Sequence, residues 1–451
     1  MKPTGIIFFP AFDWAITPTH PEREERLLYT RDQLFEEGIM DLPQIKEYQP
    51  RLASIEDIMR VHFCVPNVPE RVTQAHMVAA GSALALADAF MQKEIKNAFA
   101  LVRPPGHHSM TVCHGNRGFC DINNEAVMIE YIRQRYNLRR VAIVDTDVHH
   151  GDGTQEIFYN DPDVLFISFH QDGRTLYPGS GFMDELGGPL AHGATINIPL
   201  EPGTGDYGIN YVLDHLVLPI LEEFKPELIV NSAGQDNHFT DPLANMNFSA
   251  QGYATLNKKL APDIAVLEGG YSVETALPYV NMGIIMAMAG IDFSNLREPG
   301  YAGSADDESK KRMDTIYNIV DTQLKNFRQR EETIASKLAK SKQEFYTYNR
   351  SIFYDTEYIR EEQQHHLRLC RNCHGYRSLA SSARQSNGQH YDVYCINIPL
   401  YSCPQCQKDG QALYQQVKST KKYSFVYLQD RPQNTYYSFD TKKGQEIKYD
   451  L

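Results

Sequence analysis

From the first residues to about position 300, short apolar runs alternate with amphipathic stretches. "GIIFFP", "AFALV", "RVAIVDTD", "VLFISFH", "ATINIPL", "LIVNSAG" and "DIAVLEGG" are β-rich runs bounded by polar or turn residues, which predicts strands. Between them, Thr73–Gln92, Asn123–Arg135, Tyr207–Phe224 and Ser249–Leu260 carry apolar residues at helical spacing. Strand and helix in alternation predict an α/β fold, an open and mostly parallel sheet with helices on both faces. Several strands run out into polar residues: Asp145 and Asp147, Ser168 and His170, Ser232 to Asp236, Glu268 to Tyr271. Sheets of this kind bind ligands beyond the carboxyl ends of their strands, so these termini are expected to meet at one crevice.

Near Ser304 the pattern changes. "DDESKKRMDTIYNIVDTQLKNFRQREETIASKLAKSKQEF" lacks Gly and Pro and mixes both charge signs at helical spacing, which predicts long exposed helices. The chain beyond is Tyr-rich and alternates in "HYDVYCINIPLYS" and "YSFVYLQD", as a small β domain would. The expected organisation is a large α/β domain over 1–303, a charged helical connector over 304–365 and a β domain over 366–451.

Composition narrows the classes. A chain of 451 residues exceeds one comfortable core, in keeping with that division. The net charge of −13 disfavours a nucleic-acid binder and suits cationic ligands better. No apolar run approaches membrane-spanning length, so no membrane partner is expected. The opening "MKPTGIIFFPAFDWAI" is broken by Asp13 and reads as a strand, so the expected location is the cytoplasm. In that reducing compartment the clustered cysteines suggest metal more than disulfides. "CRNC" (Cys370, Cys373) and "CPQC" (Cys403, Cys406) offer four thiolates for tetrahedral zinc, a spacing that resembles a zinc ribbon. Such a domain would use the metal as its core and serve a structural or protein-docking role. Cys395 is expected in the core of a strand.

The densest chemistry lies in "AIVDTDVHHGDGTQEIFY" (Ala142–Tyr159), where an apolar strand runs into Asp145, Asp147, His149, His150 and Asp152. At a period of two, Asp145, Asp147 and His149 share one face of an extended chain. A carboxylate and an imidazole two apart start a divalent-metal site with an open position. A third ligand is expected from "LIVNSAGQDNHFTDPLA", where spacing leaves Asp236, His238 and Asp241 as rivals. "DIAVLEGGYS" closes on two glycines and Tyr271, a hinge from which a phenol can donate to a developing oxyanion. "RPPGHH" stiffens and then turns the chain just ahead of the adjacent imidazoles His107 and His108. The "MTVCHGN" that follows (Met110–Asn116) reads as an irregular surface loop.

Together with "THPEREERL" (Thr19–Leu27), "GFCDINNEAV" (Gly118–Val127), "SFHQ" (Ser168–Gln171) and "YPGSG" (Tyr177–Gly181), these motifs resemble the histone deacetylase family over roughly residues 5–300. The resemblance includes the family's acetylpolyamine amidohydrolases and class II-like members, and implies the arginase–deacetylase type of sheet. It implies a zinc-dependent amidohydrolase that removes an acetyl or acyl group from an amine, with acetyl-lysine and acetylpolyamine the leading substrates. His107 and His108 match the general base and acid, held by Asp145 and Asp152 respectively. Asp147, His149 and Asp236 match the zinc ligands, and Tyr271 matches the residue that polarises the scissile carbonyl. Two imidazoles serve because one group must take a proton and another give one. Some members also bind K+ near the Asp145/Asp147/His149 backbone and Ser168, an optional ion here.

Two rivals remain. An arginase-like binuclear manganese ureohydrolase would want a carboxylate two residues beyond Asp236, where His238 stands. A non-catalytic acyl-lysine-binding scaffold would not need His107, His108 and Tyr271 together.

Overall fold

The computed structural model describes residues 2–301, 308–341 and 343–451. Its first strands are β1 (Thr4–Phe9), β2 (Ile45–Glu47), β3 (Phe63–Cys64), β4 (Asn97–Val102), β5 (Val112–Cys113), β6 (Val141–Asp145), β7 (Val164–Gln171), β8 (Thr195–Leu200), β9 (Leu228–Ser232) and β10 (Ile264–Val266). All but β3 and β5 form one parallel eight-stranded sheet in the order β2-β1-β4-β10-β9-β6-β7-β8. Alternation along β4 sorts its side chains. Phe99 and Leu101 enter one hydrophobic core, while Ala98, Ala100 and Val102 enter the other. Helices Ala250–Leu260 and Leu277–Ala289 cover the first face, and Gln74–Met91 and Asn124–Tyr136 cover the second. Both faces are therefore dry, which is why these strands read as continuous apolar runs. No helix among the described residues is long and apolar enough to cross a membrane.

Register places the site. Val266 pairs with Ala100 on one side and Ser232 on the other, and Ser232 pairs with Asp145. Neighbouring strands β4, β10, β9 and β6 thus release their chains at one level, above one edge of the sheet.

The C-terminal part departs from the expected connector. Helix Lys310–Arg328 is not an exposed spacer: Met313, Ile316, Ile319, Val320 and Phe327 form an apolar stripe that joins the main core. Helix Arg330–Lys340 follows, and strands begin at β11 (Phe345–Tyr354) and β12 (Ile359–Arg368), inside the 304–365 segment expected to be helical. The strand pattern of β12 is disguised because its inward face carries Glu361, Gln363 and His365 between Ile359 and Leu367. These polar groups are buried against partners from other parts of the chain. Glu361 Oε1 accepts from the Ser381 hydroxyl at 2.5 Å, and His114 Nε2 lies 2.8 Å from that same hydroxyl.

β13 (Arg377–Arg384), β14 (His390–Ile398), β15 (Phe425–Asp430), β16 (Thr435–Asp440) and β17 (Gln445–Asp450) complete a seven-stranded sheet in chain order from β11. Only β14 and β15 run parallel, joined by helix Pro404–Thr420 as their crossover. One core of this sheet takes in the four clustered cysteines, with Cys406 buried and Cys370, Cys373 and Cys403 packed against it. Tyr376, Ile396, Ile398, Tyr414 and Leu428 pack into the same cluster. Leu379, Val393, Cys395, Tyr427, Tyr436 and Leu451 pack directly into the core of the large domain. The "MTVCHGN" stretch is likewise no surface loop, since Cys113 and His114 are buried beneath this sheet.

Candidate active site

The turn leaving β4 carries His107 and His108, with only 2% and 3% of each exposed. Their ring centroids are 4.2 Å apart. His107 Nδ1 lies 3.0 Å from Asp145 Oδ2, and His108 Nδ1 lies 2.8 Å from Asp152 Oδ1. With Nδ1 engaged, each ring keeps Nε2 for other chemistry. Burial alone lowers the pKa of His107, but the Asp147 and Asp145 carboxylates outweigh it and raise it well above the ordinary imidazole value. His108 is pushed the other way, to about 3, by burial and then by its neighbour His107. Burial raises the pKa of Asp152, yet the Arg117 guanidinium, whose Nη1 donates to it at 2.8 Å, pulls it well below the usual carboxylate range.

Beyond β6 and β9, Asp147, His149 and Asp236 bring one ligand atom each within 4.8 Å of one another. His149 Nδ1 stands 3.1 Å from both Asp147 Oδ1 and Asp236 Oδ2. Backbone N–H groups aim the carboxylates: Gly269 donates to Asp147 at 2.7 Å and Val148 to Asp236 at 2.9 Å. A methyl group at Gly269 would overlap both carboxylates, so glycine leaves the hollow open. Two carboxylates and one imidazole in an open cradle fit a divalent cation with a free coordination position. The rivals lie elsewhere. His238 turns to Glu298, 3.3 Å from its Nε2, and Asp241 accepts from the Tyr271 N–H at 2.7 Å.

Tyr271 follows the Gly269–Gly270 turn, edge-on to Phe119 at 5.6 Å and with the Arg26 guanidinium 5.0 Å from its ring centroid. That turn is braced by charges that local sequence patterns do not link. Arg26 Nε donates to the Gly270 carbonyl at 2.7 Å, and Glu22 accepts from Arg26 and Arg103, each at 2.7 Å. All three of these charged side chains are fully buried. Arg117 and Glu268 are further site residues that the sequence reading left without a role. "THPEREERL" and "GFCDINNEAV" offered the only local signal for Glu22, Arg26 and, just upstream, Arg117.

Residues 65–284 match the histone deacetylase domain family. A probable deacetylase of Archaeoglobus fulgidus is 47% identical over 324 residues, covering 66% of this chain and 89% of that protein. The chain belongs to the histone deacetylase family. A histone deacetylase-like amidohydrolase of Pseudomonas aeruginosa is 33% identical, covering 65% of this chain and 86% of its own length. Among solved structures, the HD domain of HDA15 superposes with a TM-score of 0.64 at 28% identity, covering 76% of this chain and 99% of that one. Membership makes this chain an enzyme with a metal cofactor, and neither the ureohydrolase nor the scaffold is favoured.

A second cluster lies outside the matched residues. Cys370, Cys373, Cys403 and Cys406 bring their sulfurs within 4.8 Å of one another. The first pair sits between β12 and β13, where the Gly375 N–H points at Cys373 Sγ at 3.3 Å. The second pair opens helix Pro404–Thr420. The cluster is compatible with a zinc-ribbon-like site. Asp161, Asp163 and His374 also converge, but Arg133 and Arg139 each hold one of those carboxylates at 2.7 Å, which makes an ion-pair cluster.

Proposed function

We infer that this deacetylase-family enzyme is zinc-dependent and hydrolyses the amide joining an acetyl or other acyl group to an amine, with acylated lysine side chains and acylated polyamines as leading substrates. The observation that carries this is the meeting of two carboxylate-backed imidazoles with an Asp–His–Asp donor set at one sheet edge. Asp147, His149 and Asp236 would hold the catalytic zinc, which supplies Lewis acidity towards the acyl carbonyl and its attacking water. The chain's own groups do the rest. Asp145 and Asp152 fix the tautomer and orientation of the two rings. One imidazole takes a proton from water as the new C–O bond forms. The other gives a proton to the amine nitrogen as the C–N bond breaks, leaving a carboxylic acid and a free amine. Tyr271 donates a hydrogen bond to the carbonyl oxygen as negative charge grows there. Cys370, Cys373, Cys403 and Cys406 would hold a second, structural zinc.

Purified protein assayed against acylated lysine peptides, acylpolyamines and small acylamides tests this reading, alongside elemental analysis. Release of free amine with about two zinc ions per chain is expected. Two manganese ions with one zinc, together with urea release from a guanidino substrate, would replace it with the ureohydrolase.

A further inference from the structure

The β11–β12 hairpin belongs to the C-terminal sheet, yet its turn, Asp355–Tyr358, reaches two residues that lie against His108, Tyr177 and Gly118. Asp355 Oδ1 accepts two hydrogen bonds, from the Tyr177 hydroxyl at 3.1 Å and from the Gly118 N–H at 2.9 Å. Glu357 Oε1 accepts from the Asn116 N–H at 2.7 Å. The rest of the hairpin is anchored beneath, where Ile352, Tyr354 and Ile359 pack on Met110 and the Tyr354 hydroxyl donates to the Val112 carbonyl.

What this turn holds is an aromatic frame around the chemistry. Tyr177 stands edge-on to His108 at 5.2 Å and to His149 at 6.4 Å. Phe119 faces Tyr271 on the other side. Gly118 lies against the His108 ring so closely that a methyl group there would overlap it. Gly118 and Phe119 both adopt positive φ, +52° and +69°. For a phenylalanine that conformation persists only where the surroundings enforce it. Reciprocal Arg117–Cys120 backbone hydrogen bonds of 3.0 and 2.9 Å close this tight turn, and the Gly118 N–H that donates to Asp355 ties it to the hairpin.

We propose that Asp355 is a positioning residue for substrate selection: it locks Tyr177 and the Gly118–Phe119 segment into the walls of the acyl entrance. This rests on the amidohydrolase reading above. Residues outside the family-matched region therefore complete the mouth of the site. Asp355 touches no reacting atom.

The test is a double-mutant cycle on the full-length, metal-loaded protein. Asp355→Ala is expected to raise KM for an acetylated substrate about tenfold, the worth of one hydrogen bond, with little change in kcat. It is also expected to shift the preference between acetyl and longer acyl chains. Tyr177→Phe should act in the same direction, and the double variant should fall short of the product of the two. Asp355→Asn should restore KM, because its carbonyl oxygen can still accept both bonds. Hydrogen exchange at the Gly118 amide should quicken in Asp355→Ala while metal content holds, a readout independent of turnover. Wild-type KM, acyl preference and Gly118 exchange in Asp355→Ala would overturn the proposal, as would strict multiplicativity or failure of the Asn variant. If the wild type cleaves no acyl amide, the functional reading falls, and Gly118 exchange still decides whether Asp355 positions this wall.

Discussion

Glu268 holds His107 through the backbone: its Oε2 accepts from the Gly106 N–H at 2.7 Å and the His107 N–H at 3.0 Å. The chain leaving β10 towards Tyr271 therefore also fixes the turn that presents the twin imidazoles. Burial and then the nearby Glu125 raise the pKa of Glu268 well above the carboxylate range. Glu268→Gln is expected to be tolerated, since an amide oxygen accepts the same two bonds. Glu268→Ala leaves two buried donors unmet, a loss of about 3 kcal/mol. Displacing the rings should also lower turnover about a hundredfold. Thermal melting and steady-state kinetics of the pair of variants check this; equal losses in both would refute it.

His108→Ala and Tyr271→Phe are each expected to cut kcat by about two to three orders of magnitude. Neither residue belongs to the Asp147–His149–Asp236 set, so metal content should persist. Near-normal turnover in either variant would remove that residue from its assigned role.

The two metal clusters should separate cleanly. Asp236→Ala is expected to lower zinc from about two to about one per chain and abolish hydrolysis. Cys406→Ala should lower it by the same amount while leaving the catalytic ion in place. Loss of both ions in either variant, with the fold intact by circular dichroism, would contradict independent sites.

The contact between the sheets predicts an acid limit. Buried Glu156 pairs with Arg377 of β13 at 2.8 Å. Burial alone would raise its pKa, but Arg377 overrides this and holds it at about 2, against an ordinary 4.5. A carboxylate depressed in the folded state adds stability above its unfolded value and loses it as pH falls. About 3 kcal/mol should therefore disappear between pH 4.5 and 2. Glu156→Gln should flatten that part of the stability–pH curve, and an unchanged slope in urea titrations across it would count against the pair.

Much of the large domain was legible because buried parallel strands are short apolar runs. "RVAIVDTD" became β6 and "VLFISFH" became β7. Helix Leu277–Ala289 went unread because "LPYVNMGIIMAMA" is apolar on nearly every side and shows no period. Strands β11 and β12 escaped for the opposite reason. β11 buries only Ile352 and Tyr354, and the buried face of β12 includes Glu361, Gln363 and His365, residues whose patterns suggest solvent until His114 and Ser381 stand beside them. The Glu22–Arg26–Arg103 brace was equally hidden, since Arg26 and its acceptor Gly270 lie 244 positions apart.

The amino-acid order by itself determined which groups stand at strand ends, because a period of two decides which side chains share a face. It could not decide among Asp236, His238 and Asp241, nor bring Asp355 to Tyr177. Those choices depend on which strands become neighbours and on where a distant sheet docks. Such contacts are set by packing across the whole molecule, and no local run of residues encodes them.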